Sequence, residues 1–235
     1  MASSKHLPAL SLAMSILLCA CTLPVPPAND DASAPANAES EVELVEEVFE
    51  EAASSPPAKA EVVTEKLLPS GFLQVGRDTA PVTLRMFTEH HCRYCKDFHE
   101  DHMPLLEEEF IATGQVKMEI GILTLKKYLD SDLAAMGLLC AGAQGKGLAM
   151  HGLLFASVIN AQSLPKLSDT LKMDTKAFNA CLKSEGTKAT LTAMESLAQS
   201  LDVTLVPTFF INGEKSVGLP YYADLRGAIE EKLGE

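Results

Sequence analysis

Val82-Thr83-Leu84-Arg85-Met86-Phe87 is a run of β-formers, and four residues beyond it stands Cys92-Arg93-Tyr94-Cys95. A Cys-x-x-Cys pair placed where a strand gives way to a helix reads as a redox motif. The spacing has a physical purpose. In the first helical turn, Cys92 faces unpaired backbone N–H groups and the positive end of the helix dipole, while Cys95 lies one turn deeper and can reach back to it. The thiolate is the attacking species and a free thiol has a pKa of about 8.5, so the pair needs something that stabilises the anion. Arg93, Lys96, His90 and His91 all lie within four residues of Cys92 and are expected to supply positive charge. An acidified sulfur is also a better leaving group, which shifts the pair towards donating its disulfide.

Outward from this motif, strand-like and helix-like segments alternate. Residues 92 to about 112 read as a helix closed by Gly114 and kinked at Pro104, and Val116 to Leu123 as a second strand. Residues 131–201 read as several helices, one starting behind an Asp174 cap. Thr208-Phe209-Phe210-Ile211, Asn212-Gly213 and Glu214 to Val217 make a hairpin, and Tyr222 to Leu233 a terminal helix. This order predicts an α/β fold, a mixed sheet flanked by helices with a helical lobe inserted at about 128–200.

The 235 residues suit one large domain with extensions. Residues 22–66 hold eleven acidic and two basic side chains among Pro, Ala and Ser, a composition that predicts disorder and therefore a tether before a domain at 67–235. Val42, Val45, Phe49 and Ala52 keep helical spacing there, read as a transient, solvated helix. A formal net charge of −13 argues against nucleic acid as a partner. At the N-terminus, Lys5 leads into fourteen mostly apolar residues, Leu7 to Ala20, too short to span a bilayer comfortably and suited to a secretion signal over 1–20. Leu18-Cys19-Ala20-Cys21 resembles the lipobox of bacterial lipoproteins, which makes Cys21 the lipid attachment site. Cleavage after Ala20 without lipid and an uncleaved anchor stay open as alternatives.

The region from Gly71 to the C-terminus resembles the DsbA-like branch of the thioredoxin superfamily. Four stretches carry the resemblance: Ala80-Pro81-Val82-Thr83 leading into Cys92-Arg93-Tyr94-Cys95-Lys96, Cys140-Ala141-Gly142-Ala143-Gln144-Gly145-Lys146, Phe178-Asn179-Ala180-Cys181-Leu182, and Val206-Pro207-Thr208-Phe209-Phe210-Ile211-Asn212-Gly213. The resemblance implies Cys92 as nucleophile, Cys95 as resolving thiol, and Arg93 and Tyr94 as the pair that tunes the potential. It implies Pro207 as a cis-proline facing the disulfide, Val206 as a backbone contact for substrate, and Cys140–Cys181 as a structural disulfide. A disulfide closing that loop would contribute about 4 kcal/mol in the chain-entropy model. Two positions depart from the family pattern: Arg93 stands where Pro is frequent, and Met86 where many members bury an acid. Glu89 or water is then expected to serve Cys95 in proton transfer.

The function implied is that of an extracytoplasmic, membrane-anchored thiol–disulfide oxidoreductase, a dithiol oxidase of exported cysteine-containing proteins, re-oxidised by a membrane partner. It needs no organic cofactor and is expected to be monomeric. A reductase or isomerase using the same residues is the runner-up, and a metal-trafficking lipoprotein the alternative from another class. Cys92, Cys95, His99 and His102 share a helix face, but at 1.5 Å per residue the outer two are about 15 Å apart, too far for one zinc ion. Cys95 with His99, or the two thiolates around a soft ion, remain possible metal ligands. His99 and His102 read otherwise as surface or packing residues, and His151 as an isolated structural one.

Overall fold

A computed structural model describes residues 63–235. The leader at 1–20, Cys21 and the spacing at Val42, Val45, Phe49 and Ala52 lie outside the described residues.

The strands are β1 (Glu65–Leu67), β2 (Leu73–Val75), β3 (Val82–Thr88), β4 (Val116–Ile122), β5 (Thr208–Ile211) and β6 (Glu214–Val217), in one sheet of order β1-β2-β4-β3-β5-β6. β3 and β4 run parallel and every other neighbouring pair antiparallel. Parallel neighbours need a crossover, here the long helix α1 at 93–111. Five helices fill the connection from β4 to β5: α2 (Ser131–Gly142), α3 (Gly147–Ala156), α4 (Ser163–Thr170), α5 (Thr175–Leu182) and α6 (Glu185–Ser200). α7 (Tyr222–Gly234) ends the chain. The first strand starts at Glu65, inside the stretch whose composition reads as tether. A short charged edge strand carries the same residue types as a solvated linker.

Alternation along β3 and β5 divides the core. Met86 and Phe209 belong to the same buried cluster as Phe98 of α1, with the Phe98 and Phe209 rings 4.8 Å apart. Phe87 and Phe210 point the other way, joined by Phe72 and by Met194 and Ala198 of α6. Burial of each such ring stabilises the fold by about 2–3 kcal/mol, and α1 is held in place by this packing.

α1 runs on through Pro104. Its hydrogen-bond ladder widens to a π turn at Phe98–His102 just before the proline, where the Met103 N–H bonds the Phe98 carbonyl, and again at Glu107–Ile111 after it. Pro104 has no N–H to give, and a local change of ladder is how a helix accommodates that loss. Gly114, at φ +79°, ends the helix with its N–H on the Ile111 carbonyl and that of Gln115 on the Phe110 carbonyl. A Cβ there would fall 2.9 Å from the Arg77 side chain.

In the lobe, a disulfide joins Cys140 at the end of α2 to Cys181 in α5, with Cα atoms 5.7 Å apart. The Gln144 amide pairs with the Asp174 backbone, and the Asp174 carboxylate caps α5 by accepting from the Ala177 N–H. The Glu65 carboxylate accepts from the N–H groups of Gly147 and Leu148, so the edge strand is tied to the positive end of α3. No helix among the described residues is long and apolar enough to cross a membrane.

Candidate active site

β3 delivers the chain to the site through buried Thr88, Glu89 and His90, and Cys92 then stands at the N-cap of α1 in extended conformation. The Lys96 N–H bonds the Cys92 carbonyl, so the first turn forms directly on the Cys92 backbone. Cys92 and Cys95 are free thiols here, the first half-buried and the second fully buried. Burial is the main reason the Cys95 thiol titrates well above the ordinary range, reinforced by a hydrogen bond with Cys92. The Thr88 hydroxyl and the Glu89 backbone act on Cys95 in the opposite direction. Cys95 therefore rests as a protonated thiol, with a hydroxyl beside it that can hydrogen-bond an emerging anion.

Across from this pair lies the loop before β5. The Val206–Pro207 bond is cis, and the Cys92 thiol donates to the Val206 carbonyl over 3.4 Å. The loop is pinned on both sides: the Thr208 hydroxyl donates to the Leu205 carbonyl, the Gly218 N–H to the Pro207 carbonyl, and the Lys215 ammonium to the Leu201 and Asp202 carbonyls. An open groove of about 500 Å³ runs between the two loops, its lining including Cys92, Tyr94, Leu125, Tyr128, Leu205 and Val206. Tyr94 also borders a second groove against Leu219, Pro220 and Tyr221. The structure thus brings Cys92, Arg93, Tyr94 and Val206 to one groove, with Cys95 behind it; Cys140 and Cys181 lie in the lobe.

The charge around Cys92 departs from the sequence reading. His90 is buried, and desolvation, with His91 and His99 nearby, pushes its pKa down to about 3, so it brings no positive charge. Arg93 pairs with Asp97 and Lys96 with Glu100, each one turn on. Glu89 does not turn its carboxylate to Cys95. That carboxylate, 0% exposed, accepts from the His91 N–H (2.7 Å) and the Ser131 hydroxyl (3.0 Å) and pairs with His91 Nδ1 (2.8 Å). His91 in turn reaches Asp130 through Nε2 and stacks on Tyr128, with ring centroids 4.6 Å apart. Thr88, and Ser131 as the partner of Glu89, are functional candidates that no motif signals: Thr88 reads only as the end of β3, and Ser131 comes from a segment 42 residues from Glu89.

The histidines of α1 pack elsewhere. His99 faces His151 and Phe155 of α3, with Gly152 leaving it room, and His102 stacks on Tyr222 of α7. His151 is not isolated: it is buried between His90 and His99, because α3 packs on the site loop and α1. Among the described residues no group of three or more His, Cys, Asp or Glu is arranged to hold a metal ion.

The Glu89 hub yields a first prediction. Glu89→Ala strands the Ser131 hydroxyl and the His91 N–H in a buried site, which should cost about 2–4 kcal/mol. Thermal or urea unfolding would register it, Glu89→Gln should recover part of the loss, and an unchanged midpoint for Glu89→Ala would refute the hub.

A thioredoxin family model matches residues 70–231. Disulfide bond formation protein D of Bacillus subtilis is 26% identical over 169 residues, 68% of this chain and 76% of that protein. Among solved structures, oxidised BdbD from Bacillus subtilis superimposes with a TM-score of 0.64 at 22% identity, covering 74% of this chain and 98% of that one. Wolbachia pipientis alpha-DsbA1 gives 0.61 at 22% identity, covering 68% and 90%, and the catalytic domain of Proteus mirabilis ScsC gives 0.60 at 23%, covering 71% and 91%. These structural likenesses establish the fold.

Proposed function

The chain belongs to the thioredoxin family, and from that premise we propose that this thiol–disulfide oxidoreductase works outside the cytoplasm as a dithiol oxidase of exported proteins. One observation carries the reading: Cys92 opens on a groove bounded by the Val206–Pro207 loop, while Cys95 is closed off behind it. The similarity to a protein named for disulfide bond formation supports it.

In the oxidised enzyme, access directs a client thiolate to the Cys92 sulfur. A new client–Cys92 bond forms as the Cys92–Cys95 bond breaks, and Cys95 leaves with the electron pair. Leaving ability falls as thiol pKa rises, and burial makes Cys95 a reluctant anion; the Thr88 hydroxyl and the Glu89 backbone offset that as the charge appears, before a proton restores the thiol. The second client thiolate then attacks its own sulfur in the mixed disulfide and expels Cys92. Two electrons pass from client to enzyme, and no cofactor is required.

A membrane thiol-oxidising partner would return the pair to the disulfide, and a lipid on Cys21 would hold the enzyme at the membrane. Cys140–Cys181 has a structural role in the lobe, and Arg93 and Tyr94 tune the couple. Equilibration of the purified protein with glutathione buffers tests the direction of transfer. The potential should lie well above thioredoxin's, about −270 mV. A value at or below it would replace the oxidase reading with a reductase one.

A further inference from the structure

The groove beside Cys92 carries an unbalanced charge. Counted over 67–235 the chain has 21 acidic and 16 basic residues, yet the groove lining holds Arg93, Lys126 and Lys127 and no acid. Lys126 and Lys127 are exposed, and neither lies within ion-pairing distance of a carboxylate among the described residues. Arg93 is 87% exposed and shares its charge with Asp97 only at 3.6 Å.

These lysines sit on a braced loop. The Lys127 ammonium lies 4.8 Å over the Tyr128 ring, and Tyr128 stacks on His91, which is bound to Glu89 and Asp130 on either side. The Leu125 N–H donates to the Ser131 hydroxyl, itself held by Glu89. The network that shapes the Cys92 loop therefore also braces the segment that carries the two lysines into the groove lining.

We propose that this face selects client segments that carry acidic residues beside the reactive cysteine, with Tyr94, Leu125, Tyr128 and Leu205 taking the apolar side chains between them. The inference rests on the oxidase reading and names its substrate class. An extended chain advances about 3.3–3.6 Å per residue, so two or three residues beside the client cysteine cover a stretch of the groove comparable to the Debye length of about 8 Å at physiological salt. Charge of this kind acts chiefly on the rate of encounter and on choice among partners.

The test uses oxidised full-length protein and two synthetic dithiol peptides of equal length, alike except that two Glu or two Lys flank each cysteine. The acidic peptide should be oxidised at least ~10-fold faster at low salt, and the ratio should shrink towards one in 1 M NaCl. Lys126→Glu/Lys127→Glu should reverse the preference. Equal rates at low salt, or a ratio unmoved by the double substitution, would overturn the acidic-client proposal and leave the oxidase reading standing. Slow oxidation of both peptides that salt accelerates would overturn it too, assigning the groove to the chain's own acidic 22–62 stretch. No oxidation of either would remove the oxidase reading, and the proposal with it.

Discussion

Cells producing the full-length protein with Cys95→Ala should accumulate it in covalent complexes that dithiothreitol dissolves, whereas Cys92→Ala should give none and reduce dithiol oxidation to the uncatalysed rate. The difference follows from burial. Cys95 is 0% exposed, so when Cys92 is missing no sulfur in the pair can meet a client. When Cys95 is missing, the Cys92 thiolate in the groove can still attack a client disulfide, forming the adduct as one client thiolate leaves, and that adduct has lost the enzyme thiol that would otherwise release it. The same asymmetry predicts that iodoacetamide modifies Cys92 in the native reduced protein and spares Cys95, because the thiolate is the reactive form and burial keeps Cys95 protonated. Labelling of both cysteines at comparable rates would show that Cys95 is not closed off, and the assignment of roles would fall with it.

How far the site can be read from the chain depends on how local its determinants are. β3, the cysteine pair, the Asn212–Gly213 hairpin and the Gly114 helix end follow from short-range patterns: alternation of β-formers, a two-residue spacing, and backbone conformations with φ of +46° at Asn212 and +96° at Gly213. The network of Glu89, His91, Asp130 and Ser131 joins side chains up to 42 residues apart, and no periodicity links them. His90 shows the limit in another way. Its charge state is set by burial, which belongs to the assembled fold and not to its neighbours in sequence. A usable signal did exist for His151, since Gly147–Ala156 is otherwise apolar, and a helix of that kind packs into the interior; the structure buries Gly147, Met150, His151, Leu154 and Phe155 and leaves Ala149 and Ala156 exposed. Its one imidazole is then a buried imidazole.

Acid should unfold this protein early, and the histidines that join the lobe to the active helix are the reason. His90 and His151 are buried, and both ring nitrogens of each lack a hydrogen-bond partner in the protein, as does Nδ1 of His99. Their rings lie 4.9–5.2 Å apart in the two pairs His90–His151 and His99–His151, with Phe155 against all three. Desolvation first, and repulsion among the rings second, holds His90 at about 3 and His151 well below the usual imidazole range. The unfolded chain binds these protons near pH 6.5 and the folded chain does not. The two histidines cost the folded state nothing through protonation above about pH 6.5, and stability is lost as pH falls from there towards about 3, at about 1.4 kcal/mol per pH unit for each histidine. Two such groups remove about 3 kcal/mol per unit, against a total of about 5–15 kcal/mol for a domain of ordinary stability. Urea unfolding between pH 7 and 4.5 should show this slope, in a range above most carboxylate titrations. His151→Leu should cut it roughly by half while leaving the neutral-pH stability equal or higher, because it replaces an unpartnered buried polar ring with an apolar side chain. A slope unaltered by His151→Leu would mean that the acid sensitivity arises elsewhere, and that the three rings are partnered in solution.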